Sequence, residues 1–229
     1  MPVDRFYCDG PLAKGSAVLL GESEHHHLTR VMRIAVGEEV ELVNGEGSLA
    51  QAKVSTTDKR STTLKILAVE TAARPDRQIL LAIPLMRPSK LELIVEKGTE
   101  LGADGFILYT ADHSEKSDLS ANQLERLRNL TLSALKQSGR LFLPSLEIIA
   151  SLDKIGGYIL FGDTRPEAPS LLEVALHPKT VFITGPERGF SERERALLEQ
   201  KGKGIKLSPH ILRAETAPLA AMSILSLQR

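Results

Sequence analysis

The chain has 229 residues, 29 Lys and Arg against 29 Asp and Glu, with 42% hydrophobic and 25% charged positions. These are ordinary globular proportions and exclude a disordered tail, a collagen-like fibre or a coiled-coil rod. Zero net charge, 4% aromatics and no Trp also exclude a bulk polycation and a base-stacking platform, so any nucleic-acid contact must come from a local patch and from shape.

Apolar runs such as residues 79–86 (ILLAIPLM) are too short to span a bilayer. The first residues, MPVDRFYCDG, lack the apolar centre of a signal peptide, and the single cysteine, Cys8, has no internal disulfide partner. A soluble, reduced, cytoplasmic protein is expected, with no membrane partner.

In chain order, residues 40–43 (VELV), 49–55 (LAQAKVS) and 62–70 (TTLKILAVE) read as strands. Asn44-Gly45-Glu46-Gly47 between the first two is a hairpin turn signal. Ser23 is placed to cap a helix through His27, Leu28, Val31 and Met32, with Gly37 near its end. Residues 1–73 thus read as a small barrel or sandwich with one short helix, and 71–77 (TAARPDR) as a linker.

From residue 74 to 229 the texture is α/β. Expected strands lie at 78–85, 105–110, 158–162, 180–184 and 205–208. Helices are expected from Ser89 to Gly102, over 122–138, at SLLEVALH (170–177), after Ser191, and over the final AETAPLAAMSILSL. Ser191 with Glu194 forms a capping box. This alternation predicts a mostly parallel sheet covered on both faces.

No Walker loop, GxGxxG, HExxH or CxxC is present. His25-His26-His27 point in different directions on a helix, a poor ligand set, so no metal is expected. Four segments carry chemistry. At 184–191 (TGPERGFS) an apolar strand runs into a glycine-rich loop and a capped helix, where main-chain groups can approach a ligand. At 207–217 (LSPHILRAETA) another strand end carries Arg213, which can pair with Glu215 or contact a phosphate or base. Residues 90–102 (KLELIVEKGTELG) can be a solvated helix face, and 137–140 (QSGR) a helix end where Arg140 complements the dipole.

In this order, KLELIVEKGTELG, KQSGR with Pro144, ITGPERGFSERE and ILRAETA resemble the ribosomal RNA small subunit methyltransferase E family, of the knotted SPOUT superfamily. HHHLTRVMR (25–33) fits that family's small RNA-binding domain. The resemblance implies a PUA-like β-barrel domain over 1–73 and an α/β-knot domain, with a deep trefoil knot, over 74–229. It implies a homodimer that transfers a methyl group from S-adenosylmethionine to N3 of a uridine in 16S ribosomal RNA of the small subunit. Carried onto this chain, the cofactor sits at Leu160, Phe161, Gly162, Thr184, Gly185, Pro186, Glu187, Gly189, Leu207, Ser208, His210, Ile211 and Leu212. Arg213 holds an RNA phosphate or the target uracil, and Glu187 orients the substrate or takes its proton. Arg5, Arg30, Arg33, Gln137 and Arg140 are the RNA-facing candidates, the last two completing the site across the dimer. Ser208, His210 and Arg188 depart from the family pattern, which has glycine, arginine and glycine there. The alternatives are a related enzyme acting on another RNA base, a non-catalytic ribosome-assembly RNA-binding protein, and a nucleotide-dependent α/β enzyme, which the missing phosphate loops disfavour.

Overall fold

A computed structural model describes residues 4–114 and 116–229. The chain divides into two compact units: the first runs to Arg74 and takes in Leu135–Leu143, and the second comprises Pro75–Ala134 and Pro144–Arg229.

The first unit holds a five-stranded sheet of order β1-β3-β4-β5-β2. Strands β3 (Glu39–Val43), β4 (Ser48–Thr57) and β5 (Ser61–Thr71) form the antiparallel meander read from the sequence. Two short strands join it: β1 (Arg5–Tyr7), parallel to β3, and β2 (Ala17–Gly21), antiparallel to β5. RFY and AVLLG are too short to display a period of two, so sequence reading missed them. Inward positions of the sheet, among them Phe6, Leu20, Val40, Leu42, Val54, Leu64 and Ile66, make one apolar core with Leu28.

The 44–47 turn is where the sequence placed it. Asn44 Oδ1 accepts from the N–H groups of Glu46 (3.0 Å) and Ser48 (3.1 Å), and Gly45 and Gly47 have φ of 73° and 102°. Gly47 is also a close-approach position, because a Cβ there would stand 2.5 Å from the Phe142 ring. The turn is bonded to the segment 141–143: Gly47 N–H donates to Leu141 O and Leu143 N–H to Gly45 O, both at 2.9 Å. That pairing explains why Leu135–Leu143 packs with the first unit although the sequence reading places it among the later residues.

The helix expected from Ser23 differs in both ends. Helix α1 (Glu22–His26) starts directly after β2 with Gly21 as its uncapped N-terminal residue, which puts Ser23 inside the helix. It widens into one π turn, His27–Met32, and stops at Arg33, whose φ of 58° is left-handed and whose N–H returns to Leu28 O. Gly37 lies beyond it, in the turn leading to β3. The histidines indeed diverge: His25 Nδ1 is 2.9 Å from Thr62 Oγ1, while the His27 ring sits 5.6 Å from that of Phe6.

The second unit is a six-stranded, wholly parallel sheet of order β11-β9-β10-β6-β7-β8, as the α/β alternation predicts. Its strands are β6 (Gln78–Pro84), β7 (Gly105–Tyr109), β8 (Ser145–Ile149), β9 (Tyr158–Gly162), β10 (Lys179–Ile183) and β11 (Gly202–Ile205). Both faces are covered, so the strands read as continuous apolar runs. On one face Leu81, Ile83, Phe106, Leu160 and Phe182 pack against α2 (Pro88–Glu100) and α5 (Thr216–Ser226) through Leu91, Ile94, Met222 and Leu225. On the other, Ile107, Tyr109, Phe161, Val181 and Ile183 meet Leu198 of α4 (Glu192–Lys201). Helix α3 (Ala121–Ser138) is the long helix expected there.

Four details depart from expectation. Helix α2 opens at Pro88, with Arg87 before it, rather than at Ser89; proline suits a first helical position, where no N–H is needed. Strand β8 was not foreseen. Residues 170–177 form only a short 3-10 turn, Leu171–Glu173, because the backbone there pairs with the chain after β11: Leu171 N–H donates to Lys206 O (3.1 Å) and Lys206 N–H to Pro169 O (2.9 Å). The last strand lies at Gly202–Ile205, not 205–208, because its glycines permit a close approach to β9: a Cβ on Gly202 would stand 2.6 Å from Ile159 O. A propensity reading counts those glycines against a strand.

The capping box is present. Ser191 Oγ accepts from Glu194 N–H (3.1 Å), and a Glu194 carboxylate oxygen accepts from Ser191 N–H (2.9 Å). Ser191→Ala is expected to lower stability by about 1 kcal/mol, read as a fall in urea midpoint at unchanged m-value. Among the described residues no helix is long and apolar enough to cross a membrane.

Candidate active site

The sheet reverses its order at β6, with β7 on one side and β10 on the other, and the loops after β9, β10 and β11 meet beyond the strands' carboxyl ends. Open α/β sheets bind ligands at such a place. The three loops enclose a cleft of about 670 Å³, with Lys90 of α2 and Arg195 of α4 in its wall. Small-molecule sites typically span about 300–1,000 Å³.

The sequence reading placed most of this lining. Gly162, Thr184, Gly185, Pro186, Glu187, Gly189, Leu207, Ser208, His210, Ile211, Leu212 and Arg213 all border the cleft. Leu160 and Phe161 do not. They are 0% and 1% exposed, one in each core, because alternate residues of a covered strand face opposite layers and neither faces the loop end. The first unit carries the remaining candidates. Arg5 there is an ion pair, donating from Nε and Nη2 to Glu41 Oε2 at 2.9 and 2.6 Å, with a side chain 10% exposed. Arg30, Arg33 and Gln137 are exposed and Arg140 is half-buried. Sequence reading did not nominate Lys90, Asp163 or Arg195 for the cleft. By its sequence context Lys90 is an ordinary solvated helix charge, and only tertiary contact brings it here.

Neighbouring elements hold the glycine loop. The Tyr109 hydroxyl donates to Thr184 O (2.6 Å), and burial, aided by the charge of Glu194, pushes that phenol well above its usual value, so it remains a donor. Gly185 lies against the loop's far side: a Cβ there would stand 3.3 Å from Phe190 N. Gly189, with φ of 75°, closes the turn by donating to Pro186 O (2.8 Å). Phe190 packs edge-on to Phe161, and the second oxygen of Glu194 accepts from Asp112 N–H (3.0 Å).

Charge is unevenly spread over the walls. Lys90 Nζ is 2.8 Å from Glu187 Oε1 and 3.0 Å from Glu215 Oε2. Burial raises the carboxyl values of both glutamates, but the close Lys90 ammonium, helped at Glu215 by the charge of Arg213, outweighs it and holds both below the usual range. Of the two readings of Arg213, a pair with Glu215 or a contact to phosphate or base, the ion-pair distance to Glu215 belongs to Lys90, and Arg213 is exposed at the rim, acting on Glu215 through its charge alone. Asp163 is 1% exposed at its side chain; Arg165 bonds it at 2.6 Å and Arg195 Nη1 lies 3.6 Å away. Burial raises its value too, yet the Arg165 bonds prevail and set it below 3.8. A folded-state value depressed in this way adds stability above the unfolded value that is lost as pH falls through the folded one. The stability gap between the wild type and Asp163→Asn is therefore expected to shrink as pH drops from about 5 to about 2, in urea titrations at each pH.

Two buried polar atoms of the lining have no hydrogen-bond partner: Arg195 Nη1 and Glu215 Oε2. For Glu215 the 3.0 Å approach of Lys90 is an ion contact off the angle a hydrogen bond requires.

Residues 73–226 match the family model described as an RNA methyltransferase domain, and residues 20–67 that of an RNA methyltransferase PUA domain. The chain is 31% identical over 219 residues to the ribosomal RNA small subunit methyltransferase E of Aquifex aeolicus, covering 93% of this chain and 95% of that one. It is 30% identical to the Bacillus subtilis enzyme of the same name, covering 90% and 88%. Among solved structures, that of the Neisseria gonorrhoeae ribosomal RNA small subunit methyltransferase E bound to S-adenosyl methionine superposes with a TM-score of 0.88 at 28% identity, over 98% of this chain and 97% of that one.

Proposed function

The chain belongs to the ribosomal RNA small subunit methyltransferase E family, and from that membership we propose that it methylates N3 of one uridine in 16S ribosomal RNA, acting as a cytoplasmic homodimer. It is an S-adenosylmethionine-dependent ribosomal RNA methyltransferase. The observation that carries the reading is the cleft itself: glycine loops at the carboxyl ends of three parallel strands, with Lys90, Asp163, Glu187, Arg195 and Glu215 among its lining residues. On this reading the chain's last segment, which forms the third cleft loop and α5, is the one threaded in the trefoil knot.

The bound cofactor supplies a methyl group already activated on a sulfonium. Uridine N3 is protonated at neutral pH, so the protein has to align the base, exclude water and stabilise a developing uracil anion. Main-chain groups of residues 184–189 and 207–212 hold the adenosine. Arg213, exposed at the rim and outside any ion pair among the described residues, offers its guanidinium to a uracil carbonyl. Glu187 stays ionised beside Lys90, which suits it to orienting the substrate more than to holding a proton. Gln137 and Arg140 approach from the second copy, and Arg30 and Arg33 are exposed cations of the first unit that contact the RNA.

A methylation assay tests this: labelled donor with small subunits lacking the mark, naked 16S ribosomal RNA, and transfer RNA. Label recovered as 3-methyluridine from the small-subunit substrate is expected. Another methylated nucleoside would assign a different base, and no calorimetric binding of S-adenosylmethionine would favour a non-catalytic RNA-binding protein.

A further inference from the structure

The cleft contains three carboxylates, and they are compensated differently. Asp163 has two guanidinium groups near it, Arg165 at 2.6 Å and Arg195 at 3.6 Å. Glu187 and Glu215 share one ammonium, that of Lys90. Both glutamates sit on cleft loops, 187 after β10 and 215 after β11, and the lysine reaches between them from the first turn of α2. Their side chains are 33% and 15% exposed, and Glu215 Oε2 is sealed from solvent with no hydrogen-bond donor. The other cations facing this end are Lys206 and Arg213. Neither forms an ion pair among the described residues; the charge of Arg213 does reach Glu215, but its exposed guanidinium is the more readily screened by solvent and salt.

Methyl donor and demethylated product differ by one full charge at one atom. As the bond from uridine N3 to the methyl carbon forms, with loss of the N3 proton, the S–CH3 bond breaks and its electron pair stays on sulfur, so the sulfonium becomes a neutral thioether, while the ammonium, carboxylate, ribose and adenine are the same in both. A site can tell them apart only by charge and by the volume of one methyl group. One methyl group is a weak handle, and an under-compensated carboxylate in a partly desolvated wall is a stronger one.

We propose that Glu187 and Glu215, sharing Lys90, form the anionic wall that selects the cationic methyl donor over its neutral product and so favours product release after each transfer. This rests on the reading of the cleft as the cofactor site. Lys90 sets the strength of the selection: it holds the two carboxylates together and cancels one of their two charges.

Isothermal titration of the full chain with S-adenosylmethionine and with S-adenosylhomocysteine, without RNA, tests it. Glu215→Gln should weaken donor binding about tenfold and leave product binding within about twofold of the wild type. Lys90→Gln should move the donor-to-product ratio in the opposite direction. Retained product binding doubles as proof that each variant is folded. Equal losses for both ligands in Glu215→Gln would overturn the proposal, since the carboxylate would then serve the shared ammonium group or the loop's structure. An unchanged ratio in both variants would overturn it as well. If the wild type bound neither ligand, the cofactor reading itself would fall, and the selection with it.

Discussion

Arg213→Ala is expected to slow methyl transfer about 10²–10³-fold while changing S-adenosylmethionine affinity less than about threefold. The asymmetry follows from where the side chain stands. It borders the cleft but is exposed, so it packs little of the loop. The loop's anchor to α5 is main-chain: Arg213 O accepts from the N–H groups of Thr216 (2.9 Å) and Ala217 (3.0 Å), and alanine keeps both bonds. What disappears is a planar cation placed where charge grows on the base during transfer. Lysine restores the charge without the two-pronged fork and should recover only part of the rate. Single-turnover methylation of small subunits, beside calorimetry for the donor, separates the two effects. Wild-type turnover in Arg213→Ala would remove that side chain from the mechanism.

The legible parts of this site were those written in contiguous residues. A strand running into Thr184-Gly185-Pro186, a glycine-rich loop and a capping box at Ser191 are local patterns; the strand ends within a residue of its expected place, the capping box is where the sequence put it, and the loop's Gly189 has a left-handed φ. The Lys90–Glu187–Glu215 cluster is different in kind. Its members are about a hundred and about thirty residues apart, and each alone reads as an ordinary solvated charge. Only the convergence of α2 with the loops after β10 and β11 makes them neighbours. Strand β11 was displaced for a related reason: Gly202 and Gly204 look like turn residues until Ile159 and Asp163 are seen to occupy the space a Cβ would need. Segment 135–143 likewise reads as a plain helix end, and its bonds to the 44–47 turn depend on contacts ninety residues away in the chain.

Phe161 separates strand core from cleft wall most sharply, because its sequence position adjoins the loop and its side chain does not reach it. It is 1% exposed and lies among Ile159, Val181, Ile183 and Leu198, edge-on to Phe190 with ring centroids 6.2 Å apart. A Cβ on Gly204 would stand 3.1 Å from its ring, so β11 closes over it with no slack. Phe161→Ala is expected to cost about 3–5 kcal/mol and to lower Tm by roughly 6–20 °C, since the packed sheet cannot collapse into the space. Phe161→Leu keeps most of the volume and should cost less than about 1.5 kcal/mol, with S-adenosylmethionine affinity unchanged at a temperature where the variant is folded. Thermal melts and calorimetry on the two variants decide the matter. A side chain that touched the cofactor would give the reverse pattern, in which Phe161→Leu melts like the wild type yet binds the donor markedly more weakly.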